Sequence, residues 1–257
     1  MKRYCLTVLI IFMLASCDHE ENIDENIPSG NGFPENITSY NFPLNTINLR
    51  GQSPINITTY STTKINATDP VIHYNSIVLN SIENTSEDLK INLLSPDREN
   101  NYILIKGKKY KLQQFHFHHH SEHKIDDQYN EMEIHFVNIS DTGAYAVLGV
   151  FVEKGKINDY LQSLIAYSPA TKGVNSFTDM FDLSSLLPLN RINYYAYSGS
   201  LTTPNRDFIP NQGPVTWILF KDKIMASDSQ LKEYSSIYHE ENFRIVQPLN
   251  NRVIYEN

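Results

Sequence analysis

The chain has 257 residues, 40% hydrophobic and 19% charged, which excludes a disordered polymer and leaves room for a sizeable core. Its formal net charge is −8, and more negative still without Lys2 and Arg3, which excludes the clustered basic surface that nucleic acid binding needs. Both cysteines, Cys5 and Cys17, fall in the first 17 residues, so the remainder can form no internal disulfide and offers no thiolate for metal binding or catalysis.

Residues 1–17 read as an export signal. Two basic residues precede an apolar run from Cys5 to Ala15 broken only by Thr7, too short to span a membrane as a helix. The run ends in Leu14-Ala15-Ser16-Cys17, which resembles the bacterial lipoprotein box. On that reading Cys17 is the lipidated N-terminus of the mature chain, and several acyl chains on one residue give stable anchoring. The expectation is an exported protein, lipid-anchored to the bacterial cell envelope on the periplasmic or the surface face of the outer membrane. Residues 18–37 are acidic, lack Lys and Arg, and include the turn-rich stretch from Ile27 to Pro34; they read as a flexible tether. Residues 38–257 form the body.

Within the body, short β-branched and aromatic runs predict strands at Val71–Tyr74, Ile77–Leu79, Tyr102–Ile105, Tyr110–His118, Met132–Ile139, Tyr145–Val152 and Val215–Phe220. Helical periodicity is confined to Asp159–Tyr167 and, more weakly, Thr178–Leu187. The expected class is therefore mainly β, a single domain with a few short helices.

Six of the nine histidines lie between His116 and His135. Side chains alternate between the faces of a strand. His116 and His118 then share a face with Gln114, while Phe115 and Phe117 face a core. Likewise Glu133, His135 and Val137 share a face, with Ile134 and Phe136 behind. If these strands pair, three imidazoles converge. Three neutral imidazoles suit Zn²⁺ and leave its fourth position open, and Gln114 and Glu133 can fix the tautomers by bonding the other ring nitrogens. The same residues also read as a half-exposed strand edge, a lone structural His135, and a loop from His118 to His120 that captures metal without specificity.

The pattern extends further. The blocks QFHFH (114–118), Ser121-Glu122-His123 and Met132 to Val137 resemble the zinc-site signature of the α-class carbonic anhydrases. In the family's order, so do Gln52 to Ile57, Ala146 to Phe151, Tyr194 to Pro204, Val215-Thr216-Trp217, and Asn242-Phe243-Arg244 followed by Gln247-Pro248-Leu249. The resemblance implies a large twisted, mostly antiparallel central sheet. It implies reversible hydration of CO₂ to bicarbonate by zinc-bound hydroxide, with His116, His118 and His135 as ligands. It further implies Thr202 as a gatekeeper donating to Glu122, Thr203 as a contact for bicarbonate, and Val137, Val147, Leu201 and Trp217 as the apolar wall for CO₂. His123 is expected to be a buried structural group. An alternative is a catalytically weak, carbonic-anhydrase-like surface binding protein; such relatives typically lack a zinc histidine, and all three are present here.

Four departures stand out. The segment Ile82 to Leu89 contains no histidine, where many fast members carry one that exports protons, so turnover is expected to be lower and more dependent on added buffer. The body lacks the cysteines that staple the active-site loop in many secreted bacterial members. Asn205 to Pro214 is longer than usual, and the tryptophan-rich N-terminal segment is missing.

Overall fold

The structure, a computed structural model, describes residues 51–202, 215–237 and 242–257. The export signal with Cys17, the tether, Thr203 and the long segment 205–214 lie outside the described residues. In chain order the strands are Asn56–Ile57 (β1), Thr63–Lys64 (β2), Val71–His73 (β3), Ser76–Asn84 (β4), Leu89–Asn92 (β5), Tyr102–Ile105 (β6), Lys108–His118 (β7), Lys124–Ile125 (β8), Met132–Ser140 (β9), Tyr145–Lys154 (β10), Gly173–Asp182 (β11), Tyr194–Gly199 (β12), Val215–Phe220 (β13), Ile224–Ala226 (β14) and Tyr255–Glu256 (β15). The helices are Ser95–Asn100 (α1), Asp159–Tyr167 (α2) and Asp228–Ile237 (α3).

Among the described residues, thirteen strands form one sheet, whose main path runs β11-β4-β5-β7-β9-β10-β13-β12-β15-β2. Most neighbours are antiparallel; β10 with β13, β10 with β14, and β15 with β2 are parallel. The central strands β9, β10 and β13 are buried on both faces, so alternation there divides two cores instead of core from solvent. Ile134, Phe136, Leu148, Val150, Ile218 and Phe220 enter the larger core. Val137, Val147, Phe151, Trp217 and Leu219, the alternate positions, enter the smaller one beside the histidines.

Helix α2 covers the larger core. Leu161, Leu164 and Ile165 are its buried stripe, at helical spacing, and Asn158 caps it by accepting from the N–H groups of Tyr160 and Leu161. The second predicted helix, Thr178–Leu187, is not one. Residues through Asp182 complete β11, and only Leu183–Leu186 coil, as a 3₁₀ turn. Phe181 pairs with Ile77 across the sheet and enters the larger core, so strand pairing overrides the local helical spacing. The block beginning at Tyr194 is a strand as far as Gly199 before it becomes a loop.

Candidate metal centre

Pairing of β7 with β9 sets His116 opposite His135, Gln114 opposite Val137 and His118 opposite Glu133. The alternate residues Phe115, Phe117, Ile134 and Phe136 are fully buried behind, which fixes the register: a slip of one residue would turn these rings into the histidine face. The three imidazoles converge, with ring centroids 4.6–5.1 Å apart.

Each ring is oriented by a bond at the nitrogen facing away from the cluster. His116 Nδ1 donates to Gln114 Oε1 (2.8 Å). His118 Nδ1 donates to the carbonyl of Asn242 (2.7 Å). His135 Nε2 donates to Glu133 Oε1 (2.9 Å). The remaining nitrogens, His116 Nε2, His118 Nε2 and His135 Nδ1, carry lone pairs that face one another. One donor atom from each ring lies within 4.8 Å of the others, and His118 Nε2 is buried with no hydrogen-bond partner. A buried polar atom left unpaired is costly; a divalent cation shared by three lone pairs removes that cost. Burial, then the neighbouring His118 and His135, holds His116 well below the ordinary imidazole range. Burial also lowers His135, against the opposing pull of Glu133. Neutral rings are the form that binds metal, so the residues present fit a three-histidine zinc site.

Glu133 ties this cluster to the next segment. Its Oε2 accepts from the N–H groups of Glu122 (2.9 Å) and His123 (2.8 Å), and its Oε1 also accepts from His123 Nδ1 (2.8 Å). Burial pushes this carboxyl up, but the imidazoles of His123 and His135 outweigh it and hold Glu133 well below the usual carboxylate range. The Tyr197 hydroxyl bridges His123 Nε2 (2.6 Å) and Ser53 Oγ (2.7 Å), so His123 is the buried structural group its position suggested. Glu122 accepts from the Arg244 N–H through Oε1 (2.8 Å). Its Oε2 has no partner and lies 3.6 Å from His118 Nε2.

The cluster opens into a cleft of about 260 Å³ lined by His116, His135, Val137, Val147, Leu201, Thr202 and Trp217 among others. The four expected apolar residues thus form one wall. Trp217 is set by its Nε1–H, which donates to the Ser200 carbonyl (2.9 Å). Thr202 is buried on the same wall, but no hydrogen bond joins it to Glu122, whose free oxygen turns to the histidines instead. Sequence reasoning assigned no role to Asn242 or Arg244, which hold His118 and Glu122. Those bonds use backbone atoms, which leave no side-chain signature. It also passed over Lys90, which lines the cleft directly opposite His116 in the β5–β7 pair.

The profile of the family described as eukaryotic-type carbonic anhydrase matches residues 41–257. A carbonic anhydrase of Klebsiella pneumoniae is 36% identical over 88% of this chain and 89% of its own length. One of Neisseria gonorrhoeae is 35% identical over 80% of this chain and 77% of its own. Among solved structures, the α-carbonic anhydrase of Thermovibrio ammonificans, in complex with the inhibitor sulfanilamide, superposes with a TM-score of 0.73 at 35% identity, covering 80% of this chain and 87% of that one.

Proposed function

This chain belongs to the eukaryotic-type carbonic anhydrase family and catalyses the reversible hydration of CO₂ to bicarbonate and a proton, and from that premise we propose how its own residues divide the work. His116, His118 and His135 hold Zn²⁺. The observation that carries this assignment is the buried, partnerless Nε2 of His118 facing the lone pairs of its two neighbours. When bound, zinc supplies Lewis acidity and makes a hydroxide nucleophile available near neutral pH.

Gln114, the Asn242 carbonyl and Glu133 hold the three rings in the ligating tautomer, so little reorganisation accompanies loading. Val137, Val147, Leu201 and Trp217 exclude water from one side of the cleft and receive apolar CO₂. Thr202 would orient the attacking oxygen while its hydroxyl donates to the free Oε2 of Glu122, a hydrogen bond that is not made in this structure. Thr203, outside the described residues, contacts the bicarbonate product. We further propose that Cys17 carries the lipid that anchors the chain to the bacterial envelope; the sequence of the leader supports this, and mass spectrometry of the envelope-extracted protein tests it.

A CO₂ hydration assay tests the zinc assignment. Activity is expected to disappear on dialysis against a zinc chelator and to return with one equivalent of Zn²⁺. His135→Ala should lose at least about 100-fold in activity together with the tightly bound metal, as loss of a ligand exceeds the 10–100-fold effects of its supporting partners. A His135→Ala protein as active as its parent overturns the assignment.

A further inference from the structure

A second set of metal-binding side chains lies where β7 ends. His119 and His120 follow His118 directly, and Glu131 immediately precedes β9. One donor atom from each lies within 4.8 Å of the other two. The two imidazoles stack with centroids 4.6 Å apart and planes 25° from parallel.

Both chain segments that carry these donors are anchored. The His119 N–H donates to Asn242 Oδ1 (2.7 Å), and its carbonyl accepts from the Asn242 N–H (3.2 Å). Next to Glu131, the Asn130 carbonyl accepts from the Ser121 N–H (3.0 Å), and the Asn130 N–H donates to Ser121 Oγ (2.9 Å). The donor set is therefore held together by backbone pairing and does not depend on chance proximity of long side chains.

All three residues are half-buried. His120 and Glu131 line an open cavity of about 300 Å³, with Asp127 on the same wall adding a second carboxylate. None of the three lines the cleft that contains His116 and His135. Two imidazoles and one carboxylate form a donor set suited to zinc and to neighbouring divalent transition metals such as copper(II). The open cavity leaves room for waters to complete the coordination.

We propose that His119, His120 and Glu131 form a second, exchangeable site for a divalent transition-metal ion, distinct from the catalytic centre. It is the weaker of the two. The catalytic donors are buried and each ring is locked by a short hydrogen bond, whereas these donors are partly open to solvent, where water competes.

The test measures metal stoichiometry on the full chain. The protein is equilibrated against buffered free Zn²⁺, and bound zinc is counted by mass spectrometry alongside a calorimetric titration. The parent should bind two equivalents, with the weaker one removed first by a chelator. His120→Ala and Glu131→Gln should each weaken that second equivalent roughly tenfold or more while retaining the tight equivalent and full CO₂ hydration. His135→Ala should do the reverse, losing the tight equivalent and keeping the weak one. A parent that binds only one equivalent overturns the proposal. So do two variants that still bind both equivalents with parental affinity, or that lose the tight ion as well. Loss of the tight ion from the parent itself would instead refute the zinc assignment made above, so the two failures are distinguishable.

Discussion

Glu133 is the carboxylate on which the metal-binding geometry turns. Its two oxygens accept from two backbone N–H groups and two imidazoles, so it fixes the tautomer of His135 and the path of the segment carrying Glu122. A glutamine at this position keeps one acceptor oxygen but sets an amide donor against other donors. Glu133→Gln is therefore expected to weaken zinc binding about 10–100-fold and to lower thermal stability as well. Competition with a chromophoric chelator and a melting curve measure the two effects, and unchanged affinity would refute the role. Opposite His135 in the next strand is Gly149. A Cβ there would lie 2.3 Å from Leu219 Cδ2 and 3.1 Å from Glu133 Oε1, so it would have to displace the buried Leu219 side chain and would crowd the carboxylate. Gly149→Ala should destabilise the fold by about 1–3 kcal/mol through overpacking. A denaturant titration showing a midpoint equal to the parent's would contradict this.

At the scale of elements, β7 and β9 were legible because a period-2 alternation of Phe or Ile with His or Glu is strong in both, and their convergence followed from pairing alone. The shared face of His116, His118, His135, Gln114 and Glu133 was legible for the same reason, whereas the apolar residues Val137, Val147, Leu201 and Trp217 were legible only through the resemblance to the family, because alternation does not separate a cleft wall from plain core. Helix α3 was not. Its polar, serine-rich sequence buries only Gln230, Leu231 and Tyr234, and its docking depends on tertiary bonds, such as the Tyr234 hydroxyl donating to the Phe117 carbonyl (3.0 Å). Thr178–Leu187 misled for the opposite reason: its apolar residues fall at helical spacing, but those through Asp182 belong to β11, paired with β4 across a register shift, and Leu183–Leu186 form only a 3₁₀ turn. The turn between β4 and β5, residues 85–88, falls in the segment where the resemblance places a proton-exporting histidine. It contains no histidine, and among the described residues that line the cleft the only histidines are His116 and His135 of the candidate metal centre. His120 lines a different cavity. Proton export therefore has no dedicated imidazole among the described lining residues, and turnover should rise steeply as imidazole buffer is added at constant pH and ionic strength. A high rate independent of buffer concentration would show that another group carries the proton.

Across the described residues, one end of the sheet is built from segments far apart in sequence, with β15 lying between β12 and the edge strand β2. Strand β15 pairs antiparallel with β12 and parallel with β2, so Tyr255–Glu256 joins the strand following Ser61 to the one that leads into the active-site loop. Glu256 is almost fully buried there. It accepts from Lys221 Nζ (2.6 Å) and is also bonded to Lys64 and Thr62. Burial pushes its carboxyl up, but the bonds from Lys221, Lys64 and Thr62 outweigh that and hold it down at about 2, against an ordinary value of 4.5. A carboxyl that binds protons less readily when folded stabilises the fold fully above its ordinary value, and that contribution is lost as the pH falls from about 4.5 towards 2. Replacing Glu256 by glutamine removes the charge at every pH. The variant should be less stable than the parent at pH 7, and the gap should narrow steadily through this acid window, since the parent alone has a proton to take up there. Melting temperatures of the two proteins measured from pH 7 down to pH 2 test the sign directly. A gap that stays constant would mean the ion pairs are formed equally in the unfolded chain, and a gap that widens on acidification would mean the carboxyl is raised on folding, contrary to the arrangement of cations around it.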